Sequence, residues 1–370
     1  MTRYDMAVLI GRFQPFHNGH LAVIEKALER ADKVLILVGS ANLARDTRNP
    51  FTYEERRGMI RDALDGAAFF RDGFDTTAGQ RITIAPLPDS PYDLQEWIEQ
   101  VQTLVKLHAA PMLRPRVCLT GNDRDATSYY LKLFPQWTYE PTGALAGDIA
   151  STGLREAYFA GGVNFHDNAW KDSGPVWPQV VPPETIAFLD KFRGTSFYGR
   201  LMDDRKAEID YRAEWGHKEP HTTVDAVVIQ SGHVLVIRRG GRYGTGMLAI
   251  PGGHLEPHET LLDGAVRECF EETMLFSHLV RDNYITDERR RMLHTHMRGR
   301  DVFGDPNRSR RGRVITHAFL FKLPDDYRLP EVKANDDAAE AFWLPISEVK
   351  ADEFFEDHAF VIERLIRTCL

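Results

Sequence analysis

The run Met6-Ala7-Val8-Leu9-Ile10-Gly11-Arg12-Phe13-Gln14-Pro15-Phe16-His17-Asn18-Gly19-His20-Leu21 passes from an apolar strand-like segment, through a glycine-bounded loop, into a helical pattern. The same grammar repeats outward along the first half. Short apolar runs at 6–10, 34–38, 82–85 and 116–119 alternate with helical spacing at 21–30, 52–64 and 94–108. Continuous apolar strands separated by helices predict a parallel sheet covered on both faces, with ligand sites at the carboxyl ends of its strands. The fold class expected for this half is α/β, Rossmann-like.

The loop from Gly11 to His20 therefore falls where a strand hands over to a helix. A helix N-terminus presents unpaired N–H groups and the positive end of the dipole, so such a loop can receive phosphates, and Gly11 and Gly19 permit close backbone approach. His17 and His20, three residues apart, would both face that anion and could stabilise charge developing on a phosphate oxygen.

The string Gly11-Arg12-Phe13-Gln14-Pro15-Phe16-His17-Asn18-Gly19-His20 resembles the HxGH signature of the nucleotidyltransferase superfamily, and Ile149-Ala150-Ser151-Thr152-Gly153-Leu154-Arg155 resembles its ISxTxxR element. The resemblance implies that Ser151 and Thr152 cap a second helix and that Arg155 clamps the β and γ phosphates; Ala150 stands where the family has Ser. Arg48-Asn49-Pro50-Phe51-Thr52, Glu55-Arg56 and Gly121-Asn122-Asp123 resemble the nicotinamide mononucleotide adenylyltransferases. That implies attack of the mononucleotide phosphate on the α-phosphorus of ATP, giving NAD and pyrophosphate with Mg²⁺. Arg12, Phe13, Arg48, Asn49 and Gly121 are then substrate-binding candidates. Asp123 would hold ribose hydroxyls or the metal-bound water network, or serve as a turn residue. Trp97 would stack on the nicotinamide ring or, as is commoner for Trp on an amphipathic helix, belong to the core. Nicotinate mononucleotide, pantetheine phosphate and flavin mononucleotide remain open as acceptors. No lysine follows a glycine, so there is no Walker A loop.

Between 161 and 183 the composition turns to Gly, Asn, Asp, Trp and Pro, and after a helical pattern at 184–192 a charged stretch runs to about 220. The expectation is a first domain at 1–193, a linker at 194–220 and a second domain at 221–370. Beyond the linker, β-type runs at 222–229 and 233–238 flank Gln230-Ser231-Gly232 and predict an antiparallel hairpin.

Gly253-His254-Leu255-Glu256-Pro257-His258-Glu259, followed after seven residues by Arg267-Glu268-Cys269-Phe270-Glu271-Glu272-Thr273-Met274-Leu275, resembles the Nudix box. The resemblance implies an α+β domain with a mixed sheet sandwiched by helices. On a helix, positions 268, 271 and 272 share one face, so Glu268, Glu271 and Glu272 form an oxygen donor set suited to Mg²⁺ or Mn²⁺. Arg267 reads as the partner that orients them. Glu259, Glu268, Glu271, Glu272, Asp336, Asp337 and Glu340 are all candidate general bases. Met274 replaces the family glycine, and an L side chain resists the left-handed conformation, so a longer or altered helix end is expected.

No SQPWPFPxS-type array follows the box, which demotes NADH as a substrate. Arg308-Ser309-Arg310-Arg311-Gly312-Arg313-Val314-Ile315-Thr316 resembles a segment of ADP-ribose pyrophosphatases, which makes ADP-ribose the favoured substrate. From Arg289 to Arg313, nine arginines face two acids, a local balance of +7. The stretch reads as a loop or dimer arm near a phosphate substrate, and a homo-oligomer through the Nudix domain is possible. Phe303 alone offers stacking there, so a nucleic-acid partner is not expected.

Over 370 residues the net charge is −8, against a whole-chain polyanion binder, and 43% hydrophobic residues suffice for two cores. Three widely spaced cysteines without CxxC spacing argue against a disulfide framework or zinc ribbon, and no membrane-length apolar run occurs, so a cytoplasmic protein is expected. The combined expectation is a bifunctional enzyme of NAD metabolism. The alternative is an adenylyltransferase carrying a catalytically silent Nudix sensor that binds ADP-ribose or RNA.

Overall fold

The apolar runs of the first half are strands, each parallel to its neighbours. The computed structural model describes residues 4–67, 81–109, 112, 114–121, 130–142, 150–160, 177–215, 220–277 and 287–370. In order, the first half places β1 (Tyr4–Gly11), α1 (Asn18–Arg30), β2 (Ala31–Val38), α2 (Tyr53–Gly66), β3 (Ile82–Pro86), α3 (Leu94–Ala109), β4 (Val117–Gly121), β5 (Thr138–Pro141), α4 (Ser151–Phe159), α5 (Trp177–Val180) and α6 (Pro183–Arg193). The sheet order is β3-β2-β1-β4-β5. β5 is an edge strand of sequence Thr-Tyr-Glu-Pro, too polar to read as an apolar run.

Why the central strands are apolar throughout follows from their two faces. Ala7, Leu9, Val34 and Ile36 pack into one buried cluster with α1, α2, α4 and α6, while Met6, Val8, Ile10, Leu35 and Leu37 pack into another with α3. Side chains alternate across a strand, so a sheet covered on both sides needs apolar residues at every position. The order reverses between β1 and β4, where Leu9 pairs with Thr120. Gly11 and Gly121 thus close adjacent strands at the crevice where such sheets bind ligands.

The stretch expected to be a linker is largely a helix, α7 (Ser196–Trp215), and the chain divides inside it, into units Met1–Met202 and Asp203–Leu370. The second unit contains β6 (His221–Gln230), β7 (His233–Arg239), β8 (Leu248–Ala249), β9 (Gly252–His254), α8 (Leu261–Thr273), α9 (Asp287–Thr295), β10 (Met297–Phe303), β11 (Val314–Lys322), β12 (Ala338–Pro345) and α10 (His358–Cys369). Its mixed sheet runs β10-β11-β6-β7-β12. The predicted hairpin forms: Gln230 pairs with His233, and Ser231 and Gly232 both take positive φ, 48° and 75°. Farther from the turn, β6 pairs instead with β9 and β7 with β8. This opening gives the segment before α8 a place in the sheet. Val224, Ala226 and Val228 of β6 pack against Ala265, Val266, Cys269 and Phe270 of α8.

Candidate active sites

In the first unit, the loop after β1 is built by constraints that reach across the sequence. Phe13 has φ 53°, and its ring lies over Gly11: a Cβ there would sit 2.9 Å from Phe13 Cζ. Gln14, fully buried, forms a reciprocal pair with Phe51, its amide donating to Phe51 O at 2.9 Å and its oxygen accepting from Phe51 N at 3.0 Å. This ties the segment Arg48-Asn49-Pro50-Phe51 to the first motif. His17 is the N-cap residue of α1 and stacks on His20 with ring centroids 3.6 Å apart. The His17 N–H donates to His20 Nδ1 at 3.3 Å, which puts the His20 ring proton on Nε2 as a donor.

Arg155 joins the second motif to the first. Its Nη1 donates to Gln14 O at 2.7 Å and its Nη2 to Thr152 Oγ1 at 3.1 Å. Ser151 and Thr152 lie in the first turn of α4, but the cap residue is Ala150 and no side chain caps the helix. The expected hydroxyl cap is therefore absent, and Thr152 instead holds the arginine. Gly121 O accepts from Thr142 N and Thr142 Oγ1, both at 3.1 Å. Asp46 accepts from the N–H groups of Arg48 and Asn49, and the buried Asn49 Oδ1 has no hydrogen-bond partner among the described residues. Trp97 is not gathered with these residues. It packs edge-on to Tyr130 and against the cluster of α3, as core. Asp123 lies outside the described residues.

One residue quoted with the second motif group, but not assigned a role from sequence, proves central. Arg56 is 1% exposed and donates to Arg12 O, Gly39 O and Ser40 O at 2.8, 2.6 and 3.0 Å. One guanidinium thus binds the loops that follow β1 and β2, and burial lowers its pKa to about 10. Its sequence signal was its place in the Glu55-Arg56 pair that carries the family resemblance, which gives no hint of these partners.

In the second unit, Thr260 caps α8 by accepting from Asp263 N. Arg267 is the hub of the box. It donates to Glu259 at 2.7 and 2.9 Å, to Glu268 at 2.9 Å, to Glu271 at 2.8 Å and to His254 O at 3.1 Å. The close glycine pair of β9 explains the spacing. Gly252 N–H donates to Glu272 Oε2 at 3.0 Å, and a Cβ on Gly253 would lie 2.5 Å from Glu268 Oε1. Burial pushes Glu268 up to about 7 and Glu272 up to about 8.

Among the described residues, no group of three or more His, Cys, Asp or Glu is placed to hold a metal ion. Glu268 and Glu271 both accept from Arg267 Nη1, and Glu272 accepts from Gly252 N. The chemistry of the donor set still fits a hard divalent cation. The donors are all oxygen, and two of the three carboxyls are buried where only a nearby cation would favour their charged forms.

Met274 corrects a second expectation. It takes the left-handed conformation itself, φ 50° and ψ 25°, and α8 ends at Thr273 as a glycine would end it. The arginine-rich segment is not one continuous loop: it spans part of α9, β10 and the stretch before β11. Arg308 makes a bidentate, buried pair with Asp357 at 2.9 and 2.8 Å, and Arg311 pairs with Glu356 while lying over Tyr211, Tyr243 and Phe355. Arg310 pairs with the buried Glu208 at 3.7 Å, while Arg291, Arg298 and Arg300 are exposed.

These two halves have separate relatives. A Cytidylyltransferase-like family model matches residues 8–123 and a NUDIX domain model matches residues 219–365. The Nicotinamide/nicotinic acid mononucleotide adenylyltransferase of Acinetobacter baylyi is 36% identical over 208 residues, 56% of this chain and 97% of that protein. The Nicotinamide-nucleotide adenylyltransferase of Pyrococcus horikoshii is 30% identical over 50% of this chain and 83% of its own length. A crystal structure of a bifunctional NMN adenylyltransferase/ADP ribose pyrophosphatase from Francisella tularensis, complexed with AMP and Mn ion, superposes with TM-score 0.82 at 33% identity, covering 99% of this chain and all of that one. Both motif sets, the parallel sheet with the loop after β1 and the glycine-backed acidic helix, lie in one chain whose similarity runs end to end: it belongs to the family of enzymes that join an NMN adenylyltransferase domain to a Nudix domain.

Proposed function

We propose that the chain runs two reactions of NAD metabolism: adenylyl transfer from ATP to nicotinamide mononucleotide, releasing NAD and pyrophosphate, and hydrolysis of ADP-ribose by water to AMP and ribose 5-phosphate. For the transfer, a phosphate oxygen of the mononucleotide attacks the α-phosphorus of ATP and pyrophosphate leaves. His17 and His20 at the α1 N-terminus, with Arg155, stabilise charge on the phosphates, while Gly11, Arg12, Phe13, Arg48, Asn49, Gly121, Ser151 and Thr152 shape the site. The orphaned Asn49 oxygen supports a ligand donor there.

For the hydrolysis, the carrying observation is the α8 network, in which one arginine holds Glu259, Glu268 and Glu271 beside the β9 glycines. Glu268, Glu271 and Glu272 would hold Mg²⁺ or Mn²⁺, which when bound polarises the diphosphate and acidifies water. Arg267 orients the acids, and Gly253 leaves room for Glu268. The regular end of α8 at Met274 supports the hydrolase over the alternative of a catalytically silent Nudix sensor.

Three thiols, Cys118, Cys269 and Cys369, none in a disulfide, support a reducing, cytoplasmic setting, and no helix among the described residues is long and apolar enough to cross a membrane. The deciding experiment supplies the purified chain with ADP-ribose and Mg²⁺ and identifies products by chromatography. AMP with ribose 5-phosphate is expected, and Glu271→Gln with Glu272→Gln should abolish it while NAD synthesis from ATP and nicotinamide mononucleotide continues. Intact ADP-ribose would sink the hydrolase half of the reading.

A further inference from the structure

The second half of α7 lies outside the matched NUDIX region, which begins at residue 219, yet it is bonded into the second unit. Asp204 Oδ1 accepts from Gly244 N at 3.2 Å, Glu208 pairs with Arg310 at 3.7 Å, and the Tyr211 hydroxyl is hydrogen-bonded to His254 Nε2 at 3.0 Å. Arg212 Nε donates to Arg310 O at 2.9 Å. Positions 204, 208, 211 and 212 fall on one stripe of a helix. The stripe is polar, which is why apolar periodicity gave no sign of docking.

One of these contacts, from Tyr211, reaches β9. That three-residue strand reaches all of the α8 machinery through its backbone: Gly252 N–H to Glu272, the close approach of Gly253 to Glu268, and His254 O to Arg267. Tyr211 holds the one residue of β9 whose side chain can be gripped, His254, whose ring also lies 6.3 Å from that of His221. Rotation of His254 would move the carbonyl that Arg267 binds and the glycine against which Glu268 rests.

We propose that Tyr211 is a positioning residue of the hydrolase, fixing His254 and thereby the β9 backbone that sets Glu272, Glu268 and Arg267. This deepens the hydrolase reading above and rests on it for its consequence in catalysis. The hydroxyl, not the ring, carries the effect.

The test uses the full chain with Tyr211→Phe, with His254→Gln, and with both. Backbone amide exchange over 248–256 is expected to accelerate about fivefold to tenfold in each single variant, with no further gain in the double, while exchange over β1 and β2 is unchanged. In the ADP-ribose assay, kcat is expected to fall about tenfold with KM within about twofold, and NAD synthesis by Tyr211→Phe to equal wild type. Unchanged exchange over 248–256 in Tyr211→Phe would overturn the proposal, as would additive effects in the double variant. If the wild-type chain leaves ADP-ribose intact, the hydrolase reading fails by itself, and the exchange comparison still decides whether Tyr211 fixes β9.

Discussion

Arg155 Nη1 donates to the main-chain oxygen of Gln14 at 2.7 Å, across 141 positions of sequence. Two motifs read as separate phosphate elements are thereby one buried unit: the arginine proposed to bind ligand phosphates also fixes the loop that carries His17 and His20. Arg155→Lys keeps the charge but loses the fork that serves Gln14 and Thr152 together. NAD synthesis should fall by about 100-fold or more, with ADP-ribose cleavage by the same preparation unchanged; steady-state assays of both reactions check this.

Arg56→Met leaves the carbonyls of Arg12, Gly39 and Ser40 buried without their shared donor. Removing one side of a buried charged network costs about 3 kcal/mol. Differential scanning calorimetry should show the transition of the first unit moving down by several degrees while that of the second stays in place.

Gly253→Ala drives a methyl group into the Glu268 carboxylate. ADP-ribose cleavage should drop by about 100-fold, with adenylyl transfer intact. Full hydrolase activity in this variant would show that Glu268 needs no fixed position.

Met274→Gly removes a left-handed L residue, a conformation costing roughly 1–2 kcal/mol, and loses some side-chain packing and unfolded-state rigidity in exchange. A net stabilisation of about 0.5 kcal/mol is expected, read as a higher denaturant midpoint for the second unit. ADP-ribose hydrolysis should be unchanged.

His358 is buried among Arg308, Arg239 and Arg311, its Nδ1 accepting from Ile250 N at 3.2 Å, and burial holds it well below the usual histidine value. Its folded pKa lies under its unfolded one, so the contribution is present above the unfolded value of about 6.5 and is lost as pH falls below it. From pH 6 downward that loss approaches about 1.4 kcal/mol per unit. His358→Gln keeps an acceptor for Ile250 and should flatten the acid limb of stability between pH 6 and 4, measured by denaturant titration of the second unit.

Legibility from sequence followed the kind of interaction involved. The strands around Val8 and Ile36, the hairpin at Ser231-Gly232 and the helix bearing Glu268 were all readable, because their signals are local periods and turn residues. β5 and α7 were not. An edge strand of Thr-Tyr-Glu-Pro and a helix docked through Asp204, Tyr211 and Arg212 carry no apolar period. In the site, the residue types and their spacing were visible, but the partners of Arg56, Arg155 and Arg308 were not.

By itself, the order of residues determined two units of different grammar, a glycine-bounded loop between β1 and α1, and three acids on one face of α8, since each depends only on spacing along a strand or helix. Only the tertiary structure decided what the arginines do. Within the segment that reads as +7, Arg308 is paired with Asp357, Arg310 with Glu208 and Arg311 with Glu356. Charge is a property of composition, but its neutralisation depends on partners tens of residues away. The low-dielectric interior makes those partners obligatory, and only the fold brings them within reach.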